Sequence, residues 1–193
     1  MRRVCVFCGS NSGMSPAFAE LARGFGRALV ARKLELVYGG GNVGLMGEVA
    51  DSVLAAGGRV IGVIPSALRE KELAHEGAQV MHVVGTMHER KAKMAELSDA
   101  FVALPGGFGT LDEICEVLTW TQLGVHDKPC ALLDVEGYWR PLSRMFDQAV
   151  ASGFLRIENR RALIEETEPE RLLDALERWR PERREKWIGR GEV

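Results

Sequence analysis

The sequence carries almost no excess charge of either sign. Its 193 residues include 25 Lys and Arg against 27 Asp and Glu, giving a net charge of −2 and an isoelectric point near 6.1. Proteins that bind nucleic acid through their overall charge have a basic excess, so that class is not expected. Long apolar runs are also missing. The run after Met1-Arg2-Arg3 breaks at Gly9, too early for a signal peptide or membrane span. We therefore expect a cytoplasmic protein that binds neither nucleic acid nor membrane.

Cysteine is scarce, with four residues in the chain, and in a cytoplasmic protein we expect these to be reduced thiols. Cys5 and Cys8 have CxxC spacing, but no second pair and no nearby pair of histidines completes a set of zinc ligands. On a strand, a separation of three places the two thiols on opposite faces. The spacing therefore indicates core packing, and no metal site is expected.

Familiar catalytic and nucleotide-binding signatures are missing or out of context. The sequence has neither the G-x-x-x-x-G-K-[ST] motif of a P-loop kinase nor the G-x-S-x-G elbow of a serine hydrolase. A G-x-G-x-x-G pattern occurs at 39–44, but it follows the second predicted strand. The next strand ends in Val63-Ile64-Pro65, without an acidic residue for a ribose diol. A classical NAD site is not expected, and neither is a cofactor.

What the sequence does contain is a regular alternation of strand and helix patterns. The 193 residues are 46% hydrophobic, enough for one core. We predict strands over 3–8, 34–38, 59–64, 79–84, 99–104 and 129–134. We predict helices over 16–32, 45–56, 86–97, 110–123, 138–152 and 168–180, with 65–78 irregular or partly helical.

This alternation predicts a single-domain, Rossmann-like α/β fold: a doubly wound, mostly parallel sheet with helices on both faces. We expect residues 1–180 to form one nucleotide-binding catalytic domain, and 181–193 to form a charged C-terminal tail. Three glycine turns follow strands, at 8–10, 39–44 and 105–110. Ligands in such folds bind beyond the carboxyl ends of the strands, so the three turns are expected to line one crevice.

The most informative stretch is Pro105-Gly106-Gly107-Phe108-Gly109-Thr110-Leu111-Asp112-Glu113. Glycines let backbone N–H groups converge on an anion, and the N-terminus of the following helix adds about half a positive charge. Thr110 and Glu113 also have the T-x-x-E spacing of a capping box. From spacing alone, Glu113 is either a reacting carboxylate or the cap of the helix that it begins.

Arg90 and Lys91 lie in the first two turns of the helix that Thr86 is predicted to cap. The helix dipole disfavours cations there, and a bound anion would remove the conflict. Arginine offers phosphate a bidentate fork, whereas lysine offers a point charge. The alternative is a solvated pair that Glu89 offsets.

These two motifs carry a family resemblance. The segment 87–91, Met-His-Glu-Arg-Lys, followed by the P-G-G-x-G-T-x-x-E stretch, resembles the LOG family of cytokinin riboside 5′-monophosphate phosphoribohydrolases. The likeness extends from the 6–10 segment, Val-Phe-Cys-Gly-Ser, through Tyr38 and its glycines to 119–124, 127–129, 137–138 and 153–154, and covers about residues 4–160. Asn11 stands where a serine is common, and Asp112 where a glutamate is common. Around 66–78 the likeness is looser.

The resemblance implies hydrolysis of the N-glycosidic bond of purine nucleoside 5′-monophosphates, adenine or N6-modified adenine, to free base and ribose 5-phosphate, by a homodimer. It implies that Arg90 and Glu113 are catalytic and that Gly107, Gly109 and Thr110 hold the phosphate. A carboxylate suits this chemistry, because bond breaking develops positive charge on the ribose. The remaining substrate-binding residues that the resemblance implies are Ser10, Gly41, Glu72, Met87, Lys91, Gly106, Phe108, Leu111, Asp112, Glu116 and Thr119.

A lysine decarboxylase and a non-catalytic nucleotide-binding protein are the two alternative functions. Some members of the family carry the label lysine decarboxylase, but that chemistry needs an electron sink such as pyridoxal phosphate on a Schiff-base lysine, and no lysine stands in a recognisable setting for one. A non-catalytic nucleotide carrier or sensor could use the same glycine turns. The presence of both Arg90 and Glu113 favours the enzyme.

Overall fold

A seven-stranded parallel sheet forms the centre of the molecule in the computed structural model, which describes residues 1–69 and 74–181. The strands are β1 (Arg3–Phe7), β2 (Glu35–Tyr38), β3 (Val60–Pro65), β4 (Val80–Val84), β5 (Ala100–Ala103), β6 (Cys130–Leu133) and β7 (Leu163–Glu166). They lie in the order β4-β3-β2-β1-β5-β6-β7, and every neighbouring pair is parallel. The predicted doubly wound α/β fold is confirmed.

Helices cover both faces of the sheet. They are α1 (Pro16–Ala31), α2 (Gly44–Ala55), α3 (Ser66–Arg69), α4 (Met87–Leu97), α5 (Phe108–Leu123), α6 (Arg140–Ala151), α7 (Ile157–Arg161) and α8 (Pro169–Arg178). One core cluster packs α1, α2 and α8 against the sheet, and the other packs α4 and α5. Burial on both faces explains why the strands read as continuous apolar runs instead of alternating patterns.

Local sequence signals set several helix starts. Ser15 is the N-cap of α1, where its hydroxyl accepts from the N–H of Ala17. Thr86 caps α4 by accepting from the N–H of Glu89, at 3.1 Å. The carboxylate of Glu89 reaches back one residue further than in the usual capping box, to the N–H of Gly85. Both predicted caps are therefore confirmed.

Two local features differ from the sequence interpretation. The strand β7 and the short α7 before it were not predicted, because Leu163-Ile164-Glu165-Glu166 is short and half acidic. Strand β7 lies at the edge of the described sheet, where it pairs on one side with β6. This edge position explains its polar composition. Helix α5 begins at Phe108, with Gly107 as its N-cap and no side-chain cap. The predicted start at Thr110 is therefore wrong by two residues, and the T-x-x-E cap, one of the two alternatives for this spacing, is excluded because Thr110 lies inside the helix.

The cysteine interpretation agrees with the packing. Cys5 belongs to the core cluster on the α4 and α5 side, whereas Cys8 belongs to the opposite cluster. All four cysteines are free thiols. Burial raises the pKa of both Cys5 and Cys8 well above the ordinary value of a thiol.

The chain reverses its winding direction between β1 and β5, which are neighbours in the sheet although α1 to α4 separate them in sequence. The loops after these strands therefore diverge and leave a crevice at their carboxyl ends. Within residues 1–69 and 74–181, no helix combines the length and apolarity needed to cross a bilayer.

Candidate active site

A cavity of about 450 Å³ occupies the crevice between β1 and β5. The three predicted glycine turns all reach it, through Gly9, Gly39 and the loop from Pro105 to Gly107. Its size suits a ligand as large as a nucleotide. The position follows from the strand order, because the two loops that diverge at the switch point form its walls.

Two backbone contacts fix the floor of the cavity. The N–H of Gly9 donates to the carbonyl oxygen of Pro105, at 3.0 Å, and the N–H of Leu45 donates to that of Gly9, also at 3.0 Å. The loop after β1 is thus joined on one side to the loop after β5 and on the other to the start of α2. A side chain at Gly106 would collide with the Thr110 hydroxyl and the Gly9 nitrogen, so this close approach requires glycine.

Arg90 reaches the cavity from α4 and is almost fully buried. Its Nη2 donates to the carbonyl oxygen of Gly39, at 2.9 Å, and its Nε donates to that of Val63, at 3.2 Å. Gly39 directly follows β2 and Val63 belongs to β3, so the sheet itself orients the guanidinium. Among residues 1–69 and 74–181, the one partner of the remaining nitrogen, Nη1, is the thioether sulfur of Met87, at 3.9 Å. That nitrogen is available for an oxygen of a ligand.

The N-terminus of α5 opens into the same cavity, which Gly107, Phe108, Gly109 and Thr110 line. The first N–H groups of a helix have no intrahelical acceptor, and Gly107 supplies no capping side chain. A Cβ atom built on Gly107 or Gly109 would meet nothing within 4 Å in the described residues, apart from its chain neighbours and the backbone of its own helix. Internal packing therefore gives no reason for glycine at these two positions, and the space beside them is open to a ligand.

Glu113 lines the cavity from the second turn of α5. Because the helix begins at Phe108, Glu113 is too far along to cap it, and the capping interpretation of this residue is excluded. Burial raises its pKa to about 7, while the charge of Arg90 opposes that rise. A carboxyl group with a pKa near 7 is suited to exchanging protons at neutral pH.

Nine of the predicted site residues line this cavity: Ser10, Met87, Arg90, Gly106, Gly107, Phe108, Gly109, Thr110 and Glu113. Six others lie outside its lining: Gly41, Lys91, Leu111, Asp112, Glu116 and Thr119. Gly41 pairs with Ala74 in a β-bridge, and the Thr119 hydroxyl donates to the carbonyl oxygen of Cys115 at 2.8 Å. Glu72 lies outside the described residues.

Lys91, next to Arg90, is directed elsewhere. Its Nζ lies 3.0 Å from Oδ2 of Asp112 and 3.0 Å from Oε1 of Glu116, both on α5. Its side chain is only 10% exposed. The alternative of a solvated Arg90–Lys91 pair is therefore wrong for both residues, because one is buried in the cavity wall and the other is held between two helices.

Several apolar wall residues were missed by sequence reasoning. Phe18, Leu45, Met46, Leu68 and Tyr138 all line the cavity. The Tyr138 hydroxyl donates to the carbonyl oxygen of Gly106, at 2.5 Å, and so braces the glycine loop. The family likeness includes Gly137-Tyr138, which was the available signal for this residue. The others come from helices whose apolar positions look like ordinary core.

The cavity has few groups suited to a metal or to pyridoxal phosphate. In the described part of the chain, no group of three or more His, Cys, Asp or Glu residues is arranged to hold a metal ion. The described residues that line the cavity include no lysine. The cavity combines a helix N-terminus suited to an anion, a carboxyl group with a raised pKa, an arginine and an apolar wall.

Comparisons with known proteins show relatives that match most of the chain. A family model described as possible lysine decarboxylase matches residues 46–176. The probable cytokinin riboside 5′-monophosphate phosphoribohydrolase LOGL9 of Oryza sativa subsp. japonica is 52% identical over 180 residues, which are 93% of this chain and 79% of that protein. The cytokinin riboside 5′-monophosphate phosphoribohydrolase LOG5 of Arabidopsis thaliana is 47% identical over 180 residues, with the same coverage of 93% and 79%.

Solved structures share the fold. The molybdenum cofactor carrier protein of Chlamydomonas reinhardtii matches with a TM-score of 0.69 at 20% identity, over 91% of this chain and 96% of that one. The structural-genomics target TM1055 matches with a TM-score of 0.69 at 25% identity, over 93% of this chain and 100% of that one. At 20% identity, the likeness to the carrier protein concerns the fold alone.

Proposed function

The chain belongs to the LOG family of enzymes, the cytokinin riboside 5′-monophosphate phosphoribohydrolases, and from that premise we propose that it hydrolyses the N-glycosidic bond of adenine and N6-modified adenine nucleoside 5′-monophosphates. The products are the free base and ribose 5-phosphate. The observation that carries this proposal is that Glu113 and Arg90 line the same cavity as the uncapped N-terminus of α5.

The 5′-phosphate binds at the start of α5. The free N–H groups and the helix dipole there attract an anion, and the open side of Gly107 and Gly109 gives it room. Ser10, on the loop after β1, faces the same space. Holding the phosphate also orients the ribose, so binding energy far from the reacting bond lowers the barrier at that bond.

Glu113 is the reacting carboxylate. In its ionised form it removes a proton from water while the water oxygen bonds to C1′ of the ribose. The bond from C1′ to the base nitrogen breaks, and the base leaves with the electron pair and takes up a proton. The negative charge of the carboxylate also stabilises the positive charge that develops on the ribose. A pKa of about 7 lets the group accept a proton in one step and release it in the next.

Arg90 holds the ribose or the carboxylate in place. Its two hydrogen bonds to the carbonyl oxygens of Gly39 and Val63 fix the plane of the guanidinium. Nη1 is then directed by the backbone, with little conformational entropy left to lose when substrate binds. The charge of Arg90 also limits the rise of the Glu113 pKa, so that a substantial fraction stays ionised near neutrality.

The base lies against the apolar wall. Phe18, Leu45, Met46, Leu68 and Met87 supply it, and an apolar wall accepts both an adenine ring and an apolar N6 substituent. Phe108 is 92% exposed at the rim of the cavity. Gly41, Leu111, Thr119 and Glu72 remain substrate contacts predicted from the family resemblance alone.

The active protein is a homodimer with one catalytic domain in each chain, residues 1–180. Helix α6 supports an interface, because its apolar side chains are incompletely covered and none of its residues is fully buried. Met145 of this helix is 63% exposed, and exposed apolar surface of this kind is common at subunit contacts. The predicted charged tail begins at 181, and residues 182–193 lie outside the described part of the chain.

Incubation of the purified protein with AMP, N6-isopentenyl-AMP, adenosine or lysine tests the proposal. Chromatography should detect free base and ribose 5-phosphate from both nucleotides, far less base from adenosine, and no cadaverine from lysine. Tight binding of both nucleotides without release of base would overturn the proposal in favour of a carrier or sensor. Cadaverine would indicate the decarboxylase.

A further inference from the structure

Lys91 joins the two helices that carry the proposed catalytic residues. Its neighbour in α4 is Arg90, and its two carboxylate partners, Asp112 and Glu116, flank Glu113 in α5. Both ion pairs have N–O distances of 3.0 Å. Burial by itself would lower the pKa of Lys91, but hydrogen bonds with Glu116 and Asp112 outweigh it and raise that pKa. The ammonium group is therefore charged at neutral pH.

The direction of this side chain does not suit contact with a substrate in the cavity. Lys91 is absent from the cavity lining, whereas Arg90, one residue before it, is present. Neighbours on a helix project about 100° apart, so the two side chains serve different surfaces. The carboxylates that hold Lys91 also neutralise the charge with which it would attract a phosphate.

We propose that Lys91 is a positioning residue, which through its ion pairs with Asp112 and Glu116 sets the position and the electrostatic surroundings of Glu113 instead of binding substrate. This role rests on the proposed function, in which Glu113 is the reacting carboxylate. One lysine holds the residue before Glu113 and the residue one turn after it. Relative movement of α4 and α5 at this level would change the position of Arg90 with respect to Glu113.

In the described part of the chain, the charges around Glu113 come from the two helices α4 and α5. Arg90 and Lys91 of α4 lower its pKa, and Asp112 and Glu116 of α5 raise it. Glu113 also interacts electrostatically with the thiols of Cys5, on β1, and Cys8, directly after β1, but burial raises their pKa so far that they are neutral. Lys91 and Glu116 therefore act on Glu113 with opposite signs although they form one ion pair.

Removal of Lys91 and removal of Glu116 should therefore shift the pKa of Glu113 in opposite directions. A general loss of packing would not produce opposite shifts, so the two variants test the proposal. In the unliganded protein, Glu113 is titrated by NMR through its ¹³C-labelled carboxyl group, with Glu113→Gln identifying the signal. Lys91→Met should raise the midpoint by about 0.5–1 pH unit, and Glu116→Gln should lower it. Lys91→Arg keeps the charge and should leave it near the wild-type value. Midpoints that move in the same direction in the first two variants would overturn the proposal.

Lys93→Met is the matched control. Lys93 lies two residues further along α4 and pairs with Glu96 of the same helix, at 3.0 Å. Its removal deletes a lysine and an ion pair from α4 without touching α5. The Glu113 midpoint and the turnover of AMP should both stay at the wild-type values, and a Lys91-like change in this variant would contradict a role specific to Lys91.

Kinetics separate positioning from substrate binding. Lys91→Met should lower kcat for AMP about tenfold and leave KM within about threefold of wild type, whereas loss of a substrate contact raises KM. In an Asp112→Asn, Glu116→Gln background, Lys91→Met should cost less in kcat than in the wild type, because the ion pairs that hold α5 are already gone and only the direct charge of Lys91 on Glu113 is lost. A raised KM with unchanged kcat would overturn the proposal. If the wild type releases no base from any nucleotide, the proposed function fails, and the NMR titration still decides the role of Lys91.

Discussion

Arg90 donates from Nη2 to the carbonyl oxygen of Gly39, at 2.9 Å, across a separation of 51 residues. The contact places a charged group from α4 over the end of β2, on the wall of the cavity. The cavity wall at Gly39 has no room for a side chain, because a Cβ atom there would collide with that same nitrogen. The first glycine of the G-x-G-x-x-G pattern therefore leaves room for the arginine side chain.

Gly39→Ala should lower kcat for AMP about 100-fold, because the methyl group displaces the guanidinium from its backbone acceptors by roughly 1 Å or more. Gly24→Ala is the control, since a Cβ atom there makes only ordinary contact with Arg27, at 3.9 Å. Steady-state kinetics and circular dichroism on both variants check the result. Normal turnover in Gly39→Ala would mean that the position of Arg90 does not matter for catalysis.

Glu113→Gln should lower kcat about 100- to 1000-fold and leave the affinity for AMP nearly unchanged, because it removes charge without changing shape. Single-turnover hydrolysis and calorimetric titration with AMP measure the two quantities. Near-normal turnover would leave Glu113 without a catalytic role.

The same variant should be more stable than the wild type above pH 7. The folded-state pKa of Glu113 lies at about 7, above its ordinary value of 4.5, so ionisation costs folding free energy as the pH rises from 4.5 through 7. Glutamine is neutral throughout. At pH 8 we expect a gain on the order of 1–3 kcal/mol in the free energy of unfolding, disappearing near pH 4. Urea denaturation at both pH values measures it, and equal stabilities at pH 8 would contradict the raised pKa.

Catalysis by the ionised carboxylate predicts the pH dependence. Below the Glu113 pKa of about 7, kcat/KM for AMP should fall about tenfold for each pH unit. The second ionisation of a phosphate ester, near pH 6, lies about one unit lower and can be told apart. A rate that falls as the pH rises through 7 would instead assign the protonated form of Glu113 to the reaction.

The sequence determined the sheet more fully than the site. Apolar runs bounded by glycines located six of the seven strands, because both faces of the sheet are buried. The edge strand β7 lacks that signature. The start of α5 was misjudged because Gly107 leaves no capping side chain to recognise. Asp112, the first of the two partners of Lys91, lies 21 residues away, and the partner of Tyr138 lies 32 residues away. Only folding brings such pairs together, and local pattern says nothing about them.

The two glycines at the start of α5 should separate binding from stability. Gly109→Ala should keep the fold and raise the free energy of unfolding by up to about 1 kcal/mol, because alanine restricts the unfolded chain and meets no protein atom here. The methyl group would occupy the proposed phosphate space, so kcat/KM for AMP should fall at least about tenfold. Gly106→Ala should instead destabilise the fold through its collision with Thr110. Full activity in Gly109→Ala would place the phosphate elsewhere.

Tyr138 braces the glycine loop without belonging to it. Its hydroxyl donates to the carbonyl oxygen of Gly106, and its ring packs edge-on against Phe18, with 5.7 Å between centroids. Tyr138→Phe removes the hydrogen bond and keeps the ring, a loss of about 1 kcal/mol. In the proposed function the loop holds the phosphate and not the base, so KM for AMP should rise about threefold to tenfold, while the slow hydrolysis expected for adenosine should not change. Ser143→Ala is the control, since that hydroxyl bonds to Trp139 and Glu165, away from the cavity. Equal effects of Tyr138→Phe on AMP and adenosine would show that the hydroxyl supports the site as a whole and not the phosphate loop.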